Sequence, residues 1–132
     1  MEPLSCLLVV DDDHDILFSL QDVLEMEGYR VATATSGREA LEALKRGLRP
    51  DLILLDLMMP DISGWAFRAW QRSHEEFASI PVVIVSGQGL SASEVSRLGV
   101  EGYLPKPLDL DELLSLVARY VSTDHQPGIA SW

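Results

Sequence analysis

"LLVVDDDHDI", residues 7–16, carries four apolar residues straight into three aspartates. An apolar run without polar alternation is what a strand covered on both faces requires, because its side chains enter apolar layers on either side. The aspartates that follow repel one another, and a partly buried carboxylate is costly unless something compensates its charge. The stretch therefore predicts a central parallel strand and a counter-charge beside Asp11 and Asp12. Asp13 has a different reading. It directly precedes a helical pattern, where its side chain suits the N-cap.

The same design recurs along the chain. "LILL" (52–55) ends on Asp56, "VVIV" (82–85) ends on Ser86, and "YL" (103–104) is followed by Lys106. "RVATA" (30–34) is more polar and reads as an edge strand. Helical patterns lie between these runs. Residues 14–27 place Ile16, Leu17, Leu20, Val23 and Leu24 on one face before Gly28. "SGRE" (36–39) is a capping box opening a second helix with Ala40, Leu41 and Leu44 inward. A third pattern over 63–77 aligns Phe67, Trp70 and Phe77, leaving Trp65 off the stripe as a candidate partner contact. "SASE" (91–94) opens a short fourth helix. "DLDE" (109–112) opens a fifth, with Leu113, Leu116, Val117 and Tyr120 facing inward. Five alternations of strand and helix specify an α/β fold, a doubly wound parallel sheet in one domain over 1–122. The remaining "TDHQPGIASW" (123–132) has no periodicity and reads as a flexible tail or linker stub.

Composition narrows the function. The 132 residues hold 10 basic and 21 acidic side chains, a net charge of −11, which argues against nucleic acid and favours metal cations or basic partners. No apolar run approaches the roughly 18–20 residues of a membrane span, and the "MEPLSC" start lacks a signal-peptide layout. The expected location is cytoplasmic. Cys6, the single cysteine, reads as an inert thiol at a strand start.

The chemistry lies at one rim. In an open parallel sheet, ligands bind outside the carboxyl ends of the strands, and Asp11, Asp12, Asp56, Ser86 and Lys106 all fall there. A cluster of carboxylates on that rim suits Mg²⁺, which takes oxygen ligands. Asp56, alone after a central strand, suits a nucleophile that attacks a phosphoryl group. Lys106 and the Ser86 hydroxyl would then stabilise the dianionic product. Each residue has an ordinary explanation: a helix cap, a turn before Gly87, a solvated lysine. Together those explanations require an accident at four separate rim positions.

By these motifs ("LLVVDDD", "DLILLDLMMPDISG", "VVIVSG" and "GYLPKPL") the chain resembles the receiver domain of two-component response regulators over nearly its whole length. The resemblance implies a flavodoxin-like sheet of order 2-1-3-4-5. It also implies phosphorylation of Asp56 by a histidine kinase or phosphotransfer protein. Asp11, Asp12, Asp56 and the Met58 carbonyl would ligate Mg²⁺, Lys106 would pair with the phosphoryl group, and the Lys106–Pro107 bond would be cis. Ser86 and Tyr103 would form the switch, altering the surface near the fourth helix and fifth strand for a downstream protein effector or a homodimer. The chain would then be a phosphoacceptor that dephosphorylates itself rather than a turnover enzyme.

Gly87 and Val100 depart from the small alanines usual at their positions, and the segment between Ser86 and Gly99 is slightly short. An apolar Met58 cannot orient a water, which implies slow loss of the phosphate. Two other readings remain open. One is a pseudo-receiver that binds partners without phosphorylation. The other is a haloacid-dehalogenase-like phosphatase using Asp11, in which Asp15 stands where threonine is expected.

Overall fold

The computed structural model describes residues 6–121, so the tail 123–132, with Trp132, lies outside the described residues. The elements in order are β1 (Cys6–Val10), α1 (His14–Met26), β2 (Arg30–Ala34), α2 (Gly37–Lys45), β3 (Leu52–Leu55), α3 (Gly64–Ser73), α4 (Glu75–Ala78), β4 (Val82–Ser86), α5 (Ala92–Leu98), β5 (Gly102–Pro105) and α6 (Leu110–Ala118). The strands form one sheet of order β2-β1-β3-β4-β5 with every pair parallel. This is the doubly wound order that the resemblance implies.

The unbroken apolar runs are explained by the pleat, which sends successive side chains to opposite faces. Leu7, Val9, Leu52, Leu54, Val83 and Val85 pack on one side with Leu17, Leu20 and Leu24 of α1 and Leu113 and Val117 of α6. Leu8, Val10, Ile53, Leu55, Val82 and Ile84 pack on the other with Ala40, Leu44, Phe67, Phe77 and Leu98. Truncating any of these strand leucines to alanine removes roughly 2–5 kcal/mol. That makes a rigid floor for whatever stands at the strand ends. β2, the polar run, is the partly exposed edge.

Two elements differ from their sequence reading. Ser36 caps α2, but the Glu39 carboxylate takes the N–H and hydroxyl of Thr35 at 2.6 and 2.8 Å in place of the Ser36 N–H, so the capping box does not close. The pattern over 63–77 is two helices, because His74 adopts extended backbone at φ −114° and ψ 111°. The Ser73 hydroxyl donates to the Trp70 carbonyl at 2.7 Å and His74 Nδ1 lies 2.8 Å from the same oxygen. These side chains occupy the acceptor that the next helical N–H needs. Phe77 keeps its place in the stripe, stacked on Trp70 with ring centroids 5.2 Å apart. Among the described residues no helix is long and apolar enough to cross a membrane.

Candidate functional site

Strand register assembles the rim. Val10 pairs with Leu55, so Asp11 and Asp56 leave neighbouring strands at the same level, and the Asp56 N–H donates to the Val10 carbonyl at 2.9 Å. Ser86 pairs with Pro105, and the Lys106 N–H donates to the Ser86 carbonyl at 2.9 Å. Four segments distant in sequence thus meet at one edge of the sheet.

Carboxylate oxygens of Asp11, Asp12 and Asp56 lie within 4.8 Å of one another. Asp11 and Asp56 are only 2% and 4% exposed, whereas Asp12 faces solvent. The Lys106 ammonium sits 2.8 Å from Asp11 Oδ2 and 3.8 Å from Asp56 Oδ1. Asp11 Oδ1 accepts the Asp13 N–H at 2.9 Å, so both Asp11 oxygens are engaged. Asp56 Oδ1 accepts the Met58 N–H at 3.3 Å, while among the described residues Oδ2 has no hydrogen-bond partner. Asp13 caps α1, accepting the N–H groups of Asp15 and Ile16 at 2.9 and 3.3 Å.

The electrostatics leave this cluster unbalanced, with three carboxylates facing one ammonium. Burial, and then the Asp11 charge, push the Asp56 carboxyl up from an ordinary 3.8 to about 6 against the opposing pull of Lys106. Burial alone would lower Lys106, but its hydrogen bond to Asp11 and the charges of Asp11, Asp56 and Asp13 together raise it. Hard oxygen donors with excess negative charge are the chemistry that a small divalent cation matches. The residues therefore fit a small divalent cation such as Mg²⁺, and the counter-charge in place beside Asp11 is the Lys106 ammonium.

Backbone packing holds Asp56 in place. The Gly64 N–H donates to the Leu57 carbonyl at 2.9 Å, and a Cβ on Gly64 would stand 2.7 Å from the Leu57 Cα. Only glycine lets the start of α3 approach the segment that leaves Asp56. This constraint was invisible in the sequence, since it depends on a tertiary approach.

The other candidate residues are placed as follows. Ser86 is fully buried and its Oγ accepts the Gln88 N–H at 3.1 Å. Tyr103 is half-buried and its hydroxyl donates to the Gln88 carbonyl at 3.0 Å. The Lys106–Pro107 peptide is cis. The Met58 side chain is exposed. Trp65 is half-buried against the α2–α5 core rather than freely exposed. Among the described residues, the large exposed apolar side chains are instead Phe18, Met26, Met58 and Leu110.

A second polar cluster escaped the sequence reading. Arg68 and Gln71 of α3 are buried. Arg68 donates from Nε to the Leu98 carbonyl (2.9 Å), from Nη2 to the Gly99 carbonyl (2.6 Å) and from Nη1 to Gln71 Oε1 (2.7 Å). Gln71 in turn donates to the Phe77 and Ile80 carbonyls at 2.9 and 3.0 Å. Arg72 adds contacts from Nη1 to the Arg97 and Leu98 carbonyls at 2.9 and 3.2 Å. These guanidinium groups satisfy the carbonyls that end α5. The available signal was their position beside Phe67, on the stripe that faces inward.

Comparison with known proteins agrees with this geometry. The family model described as "Response regulator receiver domain" matches residues 7–118. The polar-differentiation response regulator DivK of Brucella ovis is 31% identical over 117 residues, covering 87% of this chain and 94% of that protein. A response regulator receiver protein from Pseudomonas putida superposes with a TM-score of 0.83 at 32% identity, over 90% of this chain and 99% of its own. TrrA of Thermotoga maritima, crystallised in complex with Mg²⁺ and BeF, superposes with a TM-score of 0.79 at 30% identity, over 89% of this chain and 100% of its own.

Proposed function

The chain belongs to the receiver-domain family of two-component response regulators, and from that premise we propose that Asp56 accepts a phosphoryl group from a phosphohistidine donor. The observation that carries this assignment is the free Oδ2 of Asp56 beside the Lys106 ammonium, which is 3.8 Å from Oδ1. Oδ2 attacks phosphorus. As the new O–P bond forms, the bond from phosphorus to the donor's imidazole nitrogen breaks, and the imidazole leaves with the electron pair. The engaged oxygens of Asp11 favour Asp56 over Asp11 as nucleophile, against the phosphatase reading.

Asp11, Asp12, Asp56 and the Met58 backbone carbonyl would hold Mg²⁺. When bound, the ion supplies charge neutralisation for the phosphoryl oxygens. Lys106 swings from Asp11 to a phosphoryl oxygen over a short path, since it already lies between both carboxylates. The Ser86 hydroxyl, which accepts from Gln88 but is free to donate its own proton, turns toward the new dianion. That movement shifts Gln88 and the Tyr103 hydroxyl bonded to its carbonyl. The effect reaches the surface of α5 and β5, where a downstream protein or a second copy of the chain would read it.

The donor is a histidine kinase or phosphotransfer protein in the cytoplasm. Its docking face is supported by an apolar depression of about 360 Å³ beside Lys106, walled by Ile16, Leu20, Pro107, Leu108 and Leu110. Leu110, itself exposed, extends that face.

Intact mass after incubation with Mg²⁺ and acetyl phosphate tests the reading. A single phosphoryl adduct is expected on the wild type, none on Asp56→Asn, and none in EDTA. An adduct that persists on Asp56→Asn would move the nucleophile elsewhere. No adduct with either acetyl phosphate or a phosphorylated histidine-kinase domain would make the chain a pseudo-receiver.

A further inference from the structure

Three of the chain's ten basic residues, Arg68, Arg72 and Arg97, line one cleft of about 460 Å³ between α3 and α5, which Trp65, Gln88 and Glu94 also border. Among the described residues, Arg38, Arg49 and Lys106 pair with carboxylates, but none of these three arginines does. Glu94, the acid nearest them in the cleft, turns its Oε1 back to the Ser91 N–H at 2.9 Å, closing the capping box of α5. Arg72 uses only Nη1 on the α5 carbonyls, and the exposed Arg97 makes no side-chain hydrogen bond among the described residues. A chain of net charge −11 therefore concentrates three arginines beside an indole, against the charges of Glu94 near Arg97 and Glu101 near Arg68.

The donor pattern specifies the ligand. Guanidinium forks take carboxylates in bidentate pairs, and the half-buried Trp65 offers an apolar wall to a neighbouring side chain. The terminal carbonyls of α5 already offset part of the arginine charge, which leaves enough for one or two carboxylates but is poor for a polyanion such as nucleic acid. We propose that this cleft binds an acidic peptide segment of a partner protein, its carboxylates on Arg72 and Arg97 and an adjacent apolar side chain against Trp65, and that occupancy is linked to Ser86 through Gln88. Gln88 borders the cleft, donates its N–H to Ser86 Oγ and accepts the Tyr103 hydroxyl. A ligand that prefers one position of Gln88 must therefore shift Ser86, and Ser86 must shift the ligand's affinity by the same factor. The linkage, unlike the binding, rests on the phosphoacceptor reading above.

The test uses the full ¹⁵N-labelled chain without Mg²⁺ or phosphodonor, titrated with the N-acetylated, C-amidated peptide Asp-Glu-Leu-Phe-Asp-Glu. Saturable shifts are expected at the Trp65 indole N–H, assigned with Trp65→Phe, and at the Gln88 amide. They should weaken as NaCl rises, and Arg97→Gln, which removes the charge without reversing it, should raise the dissociation constant several-fold with the amide spectrum away from the cleft retained, while Arg97→Glu should raise it roughly tenfold. The peptide Lys-Lys-Leu-Phe-Lys-Lys should leave both resonances unmoved. Shifts confined to other surfaces, or equal affinity for Arg97→Glu, would overturn the site. Inorganic phosphate reproducing the same shifts would make it a free-anion site, and concentration-dependent shifts without peptide would assign the cleft to self-association; either result overturns the proposal. Repeating the titration with Mg²⁺ and acetyl phosphate should change the affinity by about threefold or more in the wild type and not in Asp56→Asn. Unchanged affinity on protein shown by mass to be phosphorylated overturns the linkage. Absence of the adduct with acetyl phosphate and also with a phosphorylated histidine-kinase domain sinks the phosphoacceptor reading and the linkage with it, while the binding stands or falls on the first titration.

Discussion

The rim at Asp11, Asp12 and Asp56 and the latch at Arg68 and Gln71 both bury charged or polar side chains, but they treat them oppositely. At the latch, the Arg68 guanidinium meets neutral oxygens with good geometry from Nε and both terminal nitrogens. At the rim, like charges crowd together with one ammonium between them, and an Asp56 oxygen is left free. The first arrangement stabilises a surface. The second stores unfavourable electrostatic energy that a cation and a phosphoryl group can relieve. Substitutions in the two regions should therefore have opposite signs.

The largest expected effect is at the latch. Arg68→Met strips the Gly99 carbonyl and Gln71 Oε1 of their donor and leaves the Leu98 carbonyl only the 3.2 Å contact from Arg72, and should lower unfolding free energy by about 3 kcal/mol in urea titrations. A change under 1 kcal/mol, at roughly the level of a surface bond, would erase the contrast. Gly64→Ala comes next. Alanine gains up to about 1 kcal/mol in helix propensity, but its Cβ would stand 2.7 Å from the backbone of Leu57. The overlap should win, for a net loss of about 2 kcal/mol and a slower appearance of the phosphoryl adduct.

Asp56→Asn should run the other way. The folded carboxyl titrates at about 6 instead of 3.8, so between these values the folded state holds a proton that the unfolded state has released. Stability from this group is complete below pH 4 and is lost as pH rises through 6. In EDTA at pH 7.5 the asparagine variant should therefore be more stable than wild type by about 2 kcal/mol, with the gain shrinking toward pH 4. A variant less stable than wild type at every pH would contradict the stored-energy view of the rim. The smallest effect is Ser91→Ala, which removes the capping box at the other end of α5 and should lower stability by about 1 kcal/mol.

The contrast also explains what the sequence could reveal. Asp11, Asp56 and Ser86 were legible because each ends an apolar run that names its own strand, and parallel register then brings the ends together. Lys106 was legible because it follows the last such run. Arg68 and Gln71 sit on an amphipathic helix, where polar residues read as solvent-facing until the C-terminus of α5 is in view. Gly64 looks like any helix-start glycine until Leu57 is set against it. The break at His74 comes from side chains competing for one carbonyl, which a periodicity reading does not register. Trp65 drew attention by lying off the stripe, yet Phe18 is the aromatic that α1 leaves in solvent.

The central claim is that Asp56 is held at a raised pKa in a site built for a divalent cation, and Mg²⁺ calorimetry in buffers of different ionisation enthalpy tests it most directly. At pH 6 binding should release about half a proton per Mg²⁺, falling to almost none at pH 8, because the ion must displace the proton held by a carboxyl titrating near 6. Asp56→Asn should release none at either pH. Mg²⁺ binding to the wild type with no proton release at pH 6, or with release that persists in Asp56→Asn, would contradict the claim.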